Sequence, residues 1–308
     1  MNKMTYQQSV KWVEQKELFL GMQFELSRIR EVLRRVGNSQ DKLRVIHIAG
    51  TNGKGSTTML VSRILAAAGY RVGLYLSPHV VDIRERIQVN GQYISRTEFA
   101  ELASLVERNS AGKDRGKERI ELTYFEVLTA MALIYFYKQN TDFAVLETGL
   151  GGRLDATNVV KHPLVCVITN IGLEHTDYLG NTLSAIAGEK AGIIKPGSSV
   201  VTSATQPVVL DVFRKVCRLK KSELYRLGKE FKVFSYSPSS LSSPRRGKGF
   251  GMENSGQRLN YQGVVNSYKN INLNLPGEFQ LNNAGLALAA VELLSKSNIF
   301  ISEKTGVL

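Results

Sequence analysis

A chain of 308 residues has room for one large domain or two ordinary ones, and its 43% hydrophobic and 22% charged residues describe a soluble globule, not a disordered or fibrous chain. No apolar run reaches membrane-spanning length, Met1 to Gln8 lack the apolar core of a secretory leader, and Cys166 and Cys217 set no disulfide framework or zinc spacing, so a cytoplasmic protein is expected. The net charge of +13 raises nucleic acid as a partner, but residues 211–250, with 11 Lys+Arg against 3 Asp+Glu, show no alternating aromatics, recognition helix or metal-finger spacing; the segment reads first as a solvated basic face, next as an attraction for polyanionic small molecules, and last as a nucleic-acid site.

Residues 5–16 and 24–36 predict helices. The β-branched stretch Arg44-Val-Ile-His-Ile48 predicts a buried strand, and Thr58 to Ala68 predict a helix from their apolar spacing. Between them lies Ala49-Gly50-Thr51-Asn52-Gly53-Lys54-Gly55-Ser56-Thr57. Strand, glycine loop and helix make the context of a phosphate cradle. Glycines let the backbone approach the anion, the helix N-terminus directs its amides at it, and Lys54 adds a full charge. The spacing departs from the usual one, since two residues separate Gly50 from Gly53 and a glycine stands between Lys54 and Ser56. A plain glycine turn is the alternative.

A strand follows at Arg71 to Leu76, ending in Ser77-Pro78-His79. Glu85 to Ile94 reads as a short β segment turning at Asn90-Gly91. Residues 97–109 predict a helix, Ala111 to Glu118 a solvated loop, and 124–138 a strongly apolar helix. Phe143 to Glu147 and Val165 to Thr169 predict strands, and 182–194 a helix. Such β–α alternation implies an α/β fold, a mainly parallel sheet flanked by helices on both faces. After residue 230 the pattern degrades into a small irregular β excursion near 230–275, with Ser235 to Gly256 rich in Ser, Gly, Pro and Arg. Order returns at Ile271 to Gly277, and residues 279–295 predict a helix rich in Ala and Leu.

Open parallel sheets gather ligands at the carboxyl ends of their strands. Here those ends carry the Lys54 loop, then Ser77 and His79, then Glu147, then Thr169 to Gly180 with His175. Ser56, Ser77 and Glu147 are hard oxygen donors of the kind magnesium takes. His175 is an unusual magnesium ligand, and its spacing fits a satisfied core or loop histidine equally well. Lys190, taken by itself, reads as a solvent-facing helix lysine.

Together these strings resemble the Mur ligase superfamily, and within it the folylpolyglutamate synthase / dihydrofolate synthase branch. The resemblance is carried by His47 to Thr57, Tyr75 to His79, Leu146 to Asn158, Gly172 to Gly180, Glu189 to Gly197 and Leu275 to Ala284, and spans nearly the whole chain. It implies a phosphate-loop ATPase fold and an ATP-dependent amide ligase that joins glutamate to dihydropteroate or a folate polyglutamate through an acyl phosphate. It implies ATP held by Gly50, Thr51, Asn52, Gly53, Lys54, Gly55, Ser56 and Thr57, with Gln280 and Asn283 facing the nucleotide. Mg2+ would sit on Ser56, Ser77, Glu147 and His175. Lys54, Lys190 and His175 would serve catalysis, Lys190 as a carbamylated lysine. The pterin substrate would lie near Phe24, Glu25 and Leu26, Thr123, Tyr124 and Phe125, and Leu154, Asp155 and Ala156. The partners implied are small molecules alone, with no nucleic acid and no membrane, and a monomer is expected.

The chain departs from that pattern in two places. Family members continue into a second, smaller α/β domain, so residues 1–295 are expected to be the ATP-binding portion and 296–308 the start of a linker to a domain this chain lacks. At Gly21 to Arg28 the family's Leu-Gly-Leu-Glu-Arg type of turn is replaced, and Glu25 puts a carboxylate and a Cβ where a glycine would allow close approach. A ligase acting on a cell-wall precursor is a second expectation, and a non-catalytic nucleotide-binding remnant a third.

Overall fold

The computed structural model describes residues 3–20, 25–111, 119–236 and 257–299, with the side chains of 17–20 left aside. In chain order the elements are α1 (Tyr6–Leu20), α2 (Ser27–Arg35), β1 (Val45–Ala49), α3 (Lys54–Ala67), β2 (Val72–Tyr75), β3 (Ile87–Val89), β4 (Gln92–Tyr93), α4 (Arg96–Ser110), α5 (Tyr124–Lys138) and β5 (Phe143–Glu147). Then come β6 (Pro163–Ile168), α6 (Thr176–Leu179), α7 (Leu183–Ala191), β7 (Ser199–Thr202), α8 (Pro207–Lys220), β8 (Glu223–Arg226), β9 (Lys232–Ser235), β10 (Gln257–Gln262), β11 (Ser267–Leu273) and α9 (Phe279–Glu292).

The strands that read as continuous Val/Ile/Leu runs are those buried on both faces, as a parallel sheet requires. The order is β4-β3-β2-β5-β1-β6-β7-β8. Every pairing from β2 to β8 is parallel, and β3 and β4 close one edge as the hairpin expected at Asn90-Gly91. Ile46 and Ile48 of β1 face a core shared with α3 and α9. Val45 and Ala49 face the opposite layer, Val45 toward α5 and Ala49 toward α7. Each fully buried aliphatic side chain in these layers contributes about 1.5–3 kcal/mol. β1 is therefore the central strand, and its carboxyl end opens directly into the phosphate loop.

The α/β class and the parallel sheet agree with the sequence reading. The helix expected from Thr58 begins at Lys54, because Gly53 takes a left-handed φ of 84° and the polar run Lys-Gly-Ser-Thr is already the first turn. The structure adds β7, α8 and β8 to the expected elements. α8 buries Val209, Phe213 and Cys217 four residues apart, a helical stripe masked by the basic residues between, and its Arg214, Lys215, Arg218 and Lys220 are exposed. The β excursion is a three-stranded antiparallel sheet in the order β11-β10-β9, and order resumes at Gln257, where Leu259 and Tyr261 alternate inward, earlier than the expected Ile271. Residues 112–118, 237–256 and 300–308, which hold most of the expected loop, of the Ser235 to Gly256 stretch and of the expected linker, lie outside the described residues, as does Phe24. Among the described residues no helix is long and apolar enough to cross a membrane.

Candidate active site

Two glycines shape the phosphate loop. Gly50 has φ +142°, and a Cβ there would stand 1.7 Å from Thr169 Oγ1. Gly53 has φ +84°, and its Cβ would stand 2.3 Å from Asn283 Oδ1. Both positions thus need the backbone freedom and the missing side chain. Gly53 caps α3 with no side-chain hydrogen bond, so the first-turn amides of that helix stay available to an anion. Lys54 Nζ donates to Gly50 O at 3.0 Å and Thr51 O at 3.1 Å, holding the cation against its own loop. The Thr51 amide donates to Asn170 O, the Asn52 amide to Asn170 Oδ1, and the Gly172 amide to Thr51 Oγ1, which lashes the loop to the end of β6. Ser56 is half-buried in the first turn. Thr57 is buried, and its Oγ1 has no partner among the described residues.

Glu147 ends β5 beside this helix terminus, its Oε2 3.6 Å from where a Gly55 Cβ would stand. The Ser77 amide donates to the same oxygen at 3.0 Å. Burial pushes the Glu147 pKa up to about 7, against the pull of the Ser77 amide and the Lys54 charge. A buried carboxylate short of donors, next to a half-buried serine and a helix N-terminus, is a suitable oxygen site for a divalent cation. Among the described residues no group of three or more His, Cys, Asp and Glu gathers, so any such site would draw on hydroxyls and water as well.

Lys190 is not solvent-facing. It is 1% exposed, donates to Gly50 O at 2.8 Å and pairs with Glu174 Oε1 at 2.5 Å. Burial lowers its pKa and Glu174 opposes that. The end of α7 comes this close because Gly152 and Gly192 permit it. A Cβ on Gly152 would stand 2.8 Å from Glu189 O, and one on Gly192 2.4 Å from the Arg153 backbone. His175 lies on the same loop as Glu174, exposed, with φ 46° at the start of α6.

Several of the expected substrate residues belong to one apolar layer. Leu26 and Ala156 are buried in one core with Leu122, and Tyr124 and Phe125 pack against it. Thr123 caps α5 in a reciprocal box with Glu126, and Arg28 reaches Glu126 at 3.4 Å, tying α2 to that helix start. Glu25 accepts from Ser27 Oγ at 2.7 Å, and Leu154 is half-buried. The Phe125 ring covers Gly149 and lies 5.8 Å from the Tyr75 ring. Asp155 is 5% exposed, and its carboxylate is taken up by the amides of Gly149, Leu150 and Thr157 and the Thr157 hydroxyl. It organises the loop from within.

The loop of Lys54, Glu147, Ser77, Lys190, Asn283 and Gln280 therefore converge, with Gln280 Oε1 accepting from Asn283 Nδ2 at 2.9 Å. Sequence reasoning missed Glu174, Glu126 and Arg86. Arg86 is buried, donates to His79 Nδ1 at 2.8 Å, lies over the Tyr124 ring and adds positive charge to the surroundings of Glu147. Among the described residues no carboxylate pairs with it. Glu174 stands within a string already quoted, but only the depth of Lys190 gives it a role.

The fold and loop define an α/β protein built around a phosphate cradle at the centre of a parallel sheet. The sequence pattern of the Mur ligase middle domain matches residues 48–291. The dihydrofolate synthase/folylpolyglutamate synthase of Bacillus subtilis is 38% identical over 295 residues, which cover 96% of this chain and 65% of that protein. The corresponding Mycobacterium tuberculosis protein is 38% identical over 280 residues, 87% of this chain and 54% of its own length. Among solved structures, folylpolyglutamate synthase from Thermotoga maritima superposes with a TM-score of 0.81 at 36% identity, covering 98% of this chain and 64% of that one. A folylpolyglutamate synthase complex with AMPPCP and folate gives 0.87 at 30% identity, covering 98% and 70%. The chain belongs to the Mur ligase family, in its folylpolyglutamate synthase / dihydrofolate synthase branch. It spans about two thirds or less of the length of these curated relatives.

Proposed function

We propose that this chain binds ATP and carries the central chemistry of an amide ligase that joins L-glutamate to dihydropteroate or a folate polyglutamate. The observation that carries this reading is the meeting of Lys54, Glu147 and Lys190 around one helix N-terminus, with the Phe125 ring over the nearby Gly149. That solved relatives hold AMPPCP and folate supports it. In this assignment residues 1–295 are the ATP-binding portion, acting as a cytoplasmic monomer.

The phosphates of ATP lie on Gly50 to Thr57, and Lys54 turns from the loop carbonyls to them. Asn283 and Gln280 face the nucleotide from α9. Ser56, Ser77, Glu147 and His175 would hold Mg2+, which neutralises phosphate charge when bound. A substrate carboxylate attacks the γ-phosphate, forming an acyl phosphate and ADP. The glutamate amine then displaces inorganic phosphate and loses a proton, leaving the amide. The protein's part is positioning and charge neutralisation. Lys54 offsets the transferred phosphate, and Arg86 supplies a second buried cation on the carboxylate side. Lys190, its amine favoured by burial, takes up CO2 as a carbamate. Leu26, Thr123 to Phe125 and Leu154 to Ala156 form the pterin wall, with Phe24 and Glu25 at its rim and Asp155 holding it from behind.

ATP hydrolysis that requires both glutamate and dihydropteroate or tetrahydrofolate, and that is lost in Lys54→Ala, is the expected result. Nucleotide binding without such turnover would leave a nucleotide-binding protein in place of the ligase.

A further inference from the structure

His47 is wholly buried in β1, between neighbours Ile46 and Ile48 that are purely apolar. Its side chain lies on the face opposite theirs, at the seam where the core of α5 meets that of α7. There its Nε2 stands 2.7 Å from Thr157 Oγ1. The Thr157 hydroxyl donates its one proton to Asp155 Oδ1, so its lone pairs are what it offers His47. Nε2 must therefore carry the ring proton. Nδ1 is left as a bare acceptor, buried with no partner among the described residues. Burial and the nearby positive charge of Lys195 hold the His47 pKa down to about 3, so the ring stays neutral. An unpaired buried nitrogen costs free energy that an isoleucine at this position would not.

What the ring gains is a grip on a loop. Asp155 Oδ1 also accepts the Thr157 amide at 2.9 Å, and its Oδ2 accepts the amides of Gly149 at 2.8 Å and Leu150 at 2.9 Å. The far side of the same loop is fixed to α7, by the Arg153 amide on Glu189 O at 2.7 Å and Asn158 Nδ2 on Gly192 O at 3.2 Å. His47 adds a side-chain link from this unit to β1, beside the Thr148 amide on Ile48 O at 2.9 Å, and the next residues of β1 run into Gly50 and the phosphate cradle.

We propose that His47 is a positioning residue: its Nε2–H holds Thr157, and through it Asp155, so that the loop Gly149 to Thr157 is set in register with the strand that bears the phosphate loop. This rests on the reading of Leu154 to Ala156 as part of the pterin wall. The His47–Thr157 bond then fixes the distance between pterin and phosphate subsites. Its loss loosens the pterin side and spares the nucleotide side, which is held separately by Asn170 and Gly172.

Four variants of the full chain test this. His47→Phe keeps a ring and removes the donor, and His47→Gln returns an amide N–H at similar reach. Thr157→Val removes the hydroxyl, and Thr157→Ser keeps it. In His47→Phe and Thr157→Val, dihydropteroate affinity is expected to fall about tenfold, with AMPPCP affinity within about twofold of the parent. Amide hydrogen exchange at Gly149 and Leu150 is expected to quicken about tenfold. His47→Gln and Thr157→Ser are expected to recover both. In the parent protein, 15N NMR is expected to find the His47 proton on Nε2. A proton on Nδ1, unchanged exchange at Gly149 and Leu150, or equal losses of nucleotide and pterin affinity would each overturn the assignment. If the parent binds no dihydropteroate, the substrate reading fails, while the exchange rates and the ring tautomer still decide the role of His47. If His47→Phe does not fold, the Thr157 pair decides it.

Discussion

Lys190 Nζ lies 2.8 Å from the carbonyl oxygen of Gly50, closing a hydrogen bond between residues 140 apart in sequence. The same nitrogen pairs with Glu174, so one ammonium joins the phosphate loop, the end of α7 and the loop after β6. Lys190→Ala removes one of the two ammonium donors to that carbonyl, Lys54 Nζ being the other at 3.0 Å, and leaves Glu174 without its cation. A loss of about 2–3 kcal/mol is expected from removing one partner of a buried charged hydrogen bond, read as a lower urea midpoint at unchanged slope. An unchanged midpoint would mean the pair contributes nothing to the fold.

The same burial that lowers the Lys190 pKa raises the share of free amine, the species that adds CO2 and releases a proton to give a carbamate. Protein equilibrated with 13C-bicarbonate is expected to show a carbamate carbon resonance that is missing from Lys190→Arg. Identical spectra would remove the carbamate from the proposed chemistry.

Gly53 carries two constraints at once. A Cβ meets Asn283 Oδ1 at 2.3 Å, and φ +84° is costly for any L side chain. Asn283 could swing aside only by giving up its bond to Gln280. Gly53→Ala is expected to cost about 1–2 kcal/mol from the backbone alone. Gly53→Ala with Asn283→Ala is expected to recover only the part due to the clash. Full recovery in the double variant would place all of the cost in the side-chain contact.

How much of this was legible beforehand depended on the range of the interaction. The phosphate loop, the strand bearing Glu147 and the apolar α5 were readable because their signals are local: a glycine-rich loop between strand and helix, a short apolar run, a long apolar stretch. Lys190 read alone came out as exposed, because a single lysine on a short helix says nothing about what packs over it. Its burial follows from Gly152 and Gly192, which let two backbones touch, and that contact joins segments far apart in sequence. Arg86 stayed hidden for the same reason. Between Glu85 and Gln88 it reads as one more surface charge until β2 and α5 close around it. The basic residues of α8 mask its Val209, Phe213 and Cys217 stripe in the sequence, because a run of charges reads as a solvated face whatever is spaced between them.

Glu147 sets a pH dependence. Its pKa in the fold is about 7 against an ordinary 4.5, so between those values the folded chain binds more protons than the unfolded one. Stability must then fall as pH rises through that window, by ~3 kcal/mol at most. Urea midpoints at about pH 5 and about pH 8 are expected to diverge for the parent and to do so less for Glu147→Gln. Mg2+ at the higher pH is expected to offset the loss in the parent and not in the variant. A parent and variant that respond alike would show that Glu147 is not the group in control.

Gly149 separates shape from chemistry on the pterin side. It has no left-handed φ to defend, but a Cβ there would stand 2.6 Å from the tip of the Phe125 ring. Gly149→Ala therefore acts by pushing that ring, at an overpacking cost of about 1–3 kcal/mol. The Tyr75 ring also stands 5.8 Å from it, which limits the room into which it can move. The expected result is weaker dihydropteroate binding with nucleotide binding intact. Phe125→Leu in the Gly149→Ala background removes the ring tip and is expected to regain most of the lost stability. Binding is expected to return only in part, since the aromatic face is gone. If Gly149→Ala weakened nucleotide binding as much as pterin binding, Phe125 would not belong to a separate substrate wall. The division of the cleft into two subsites would then have to be redrawn around the Glu147 side of the loop.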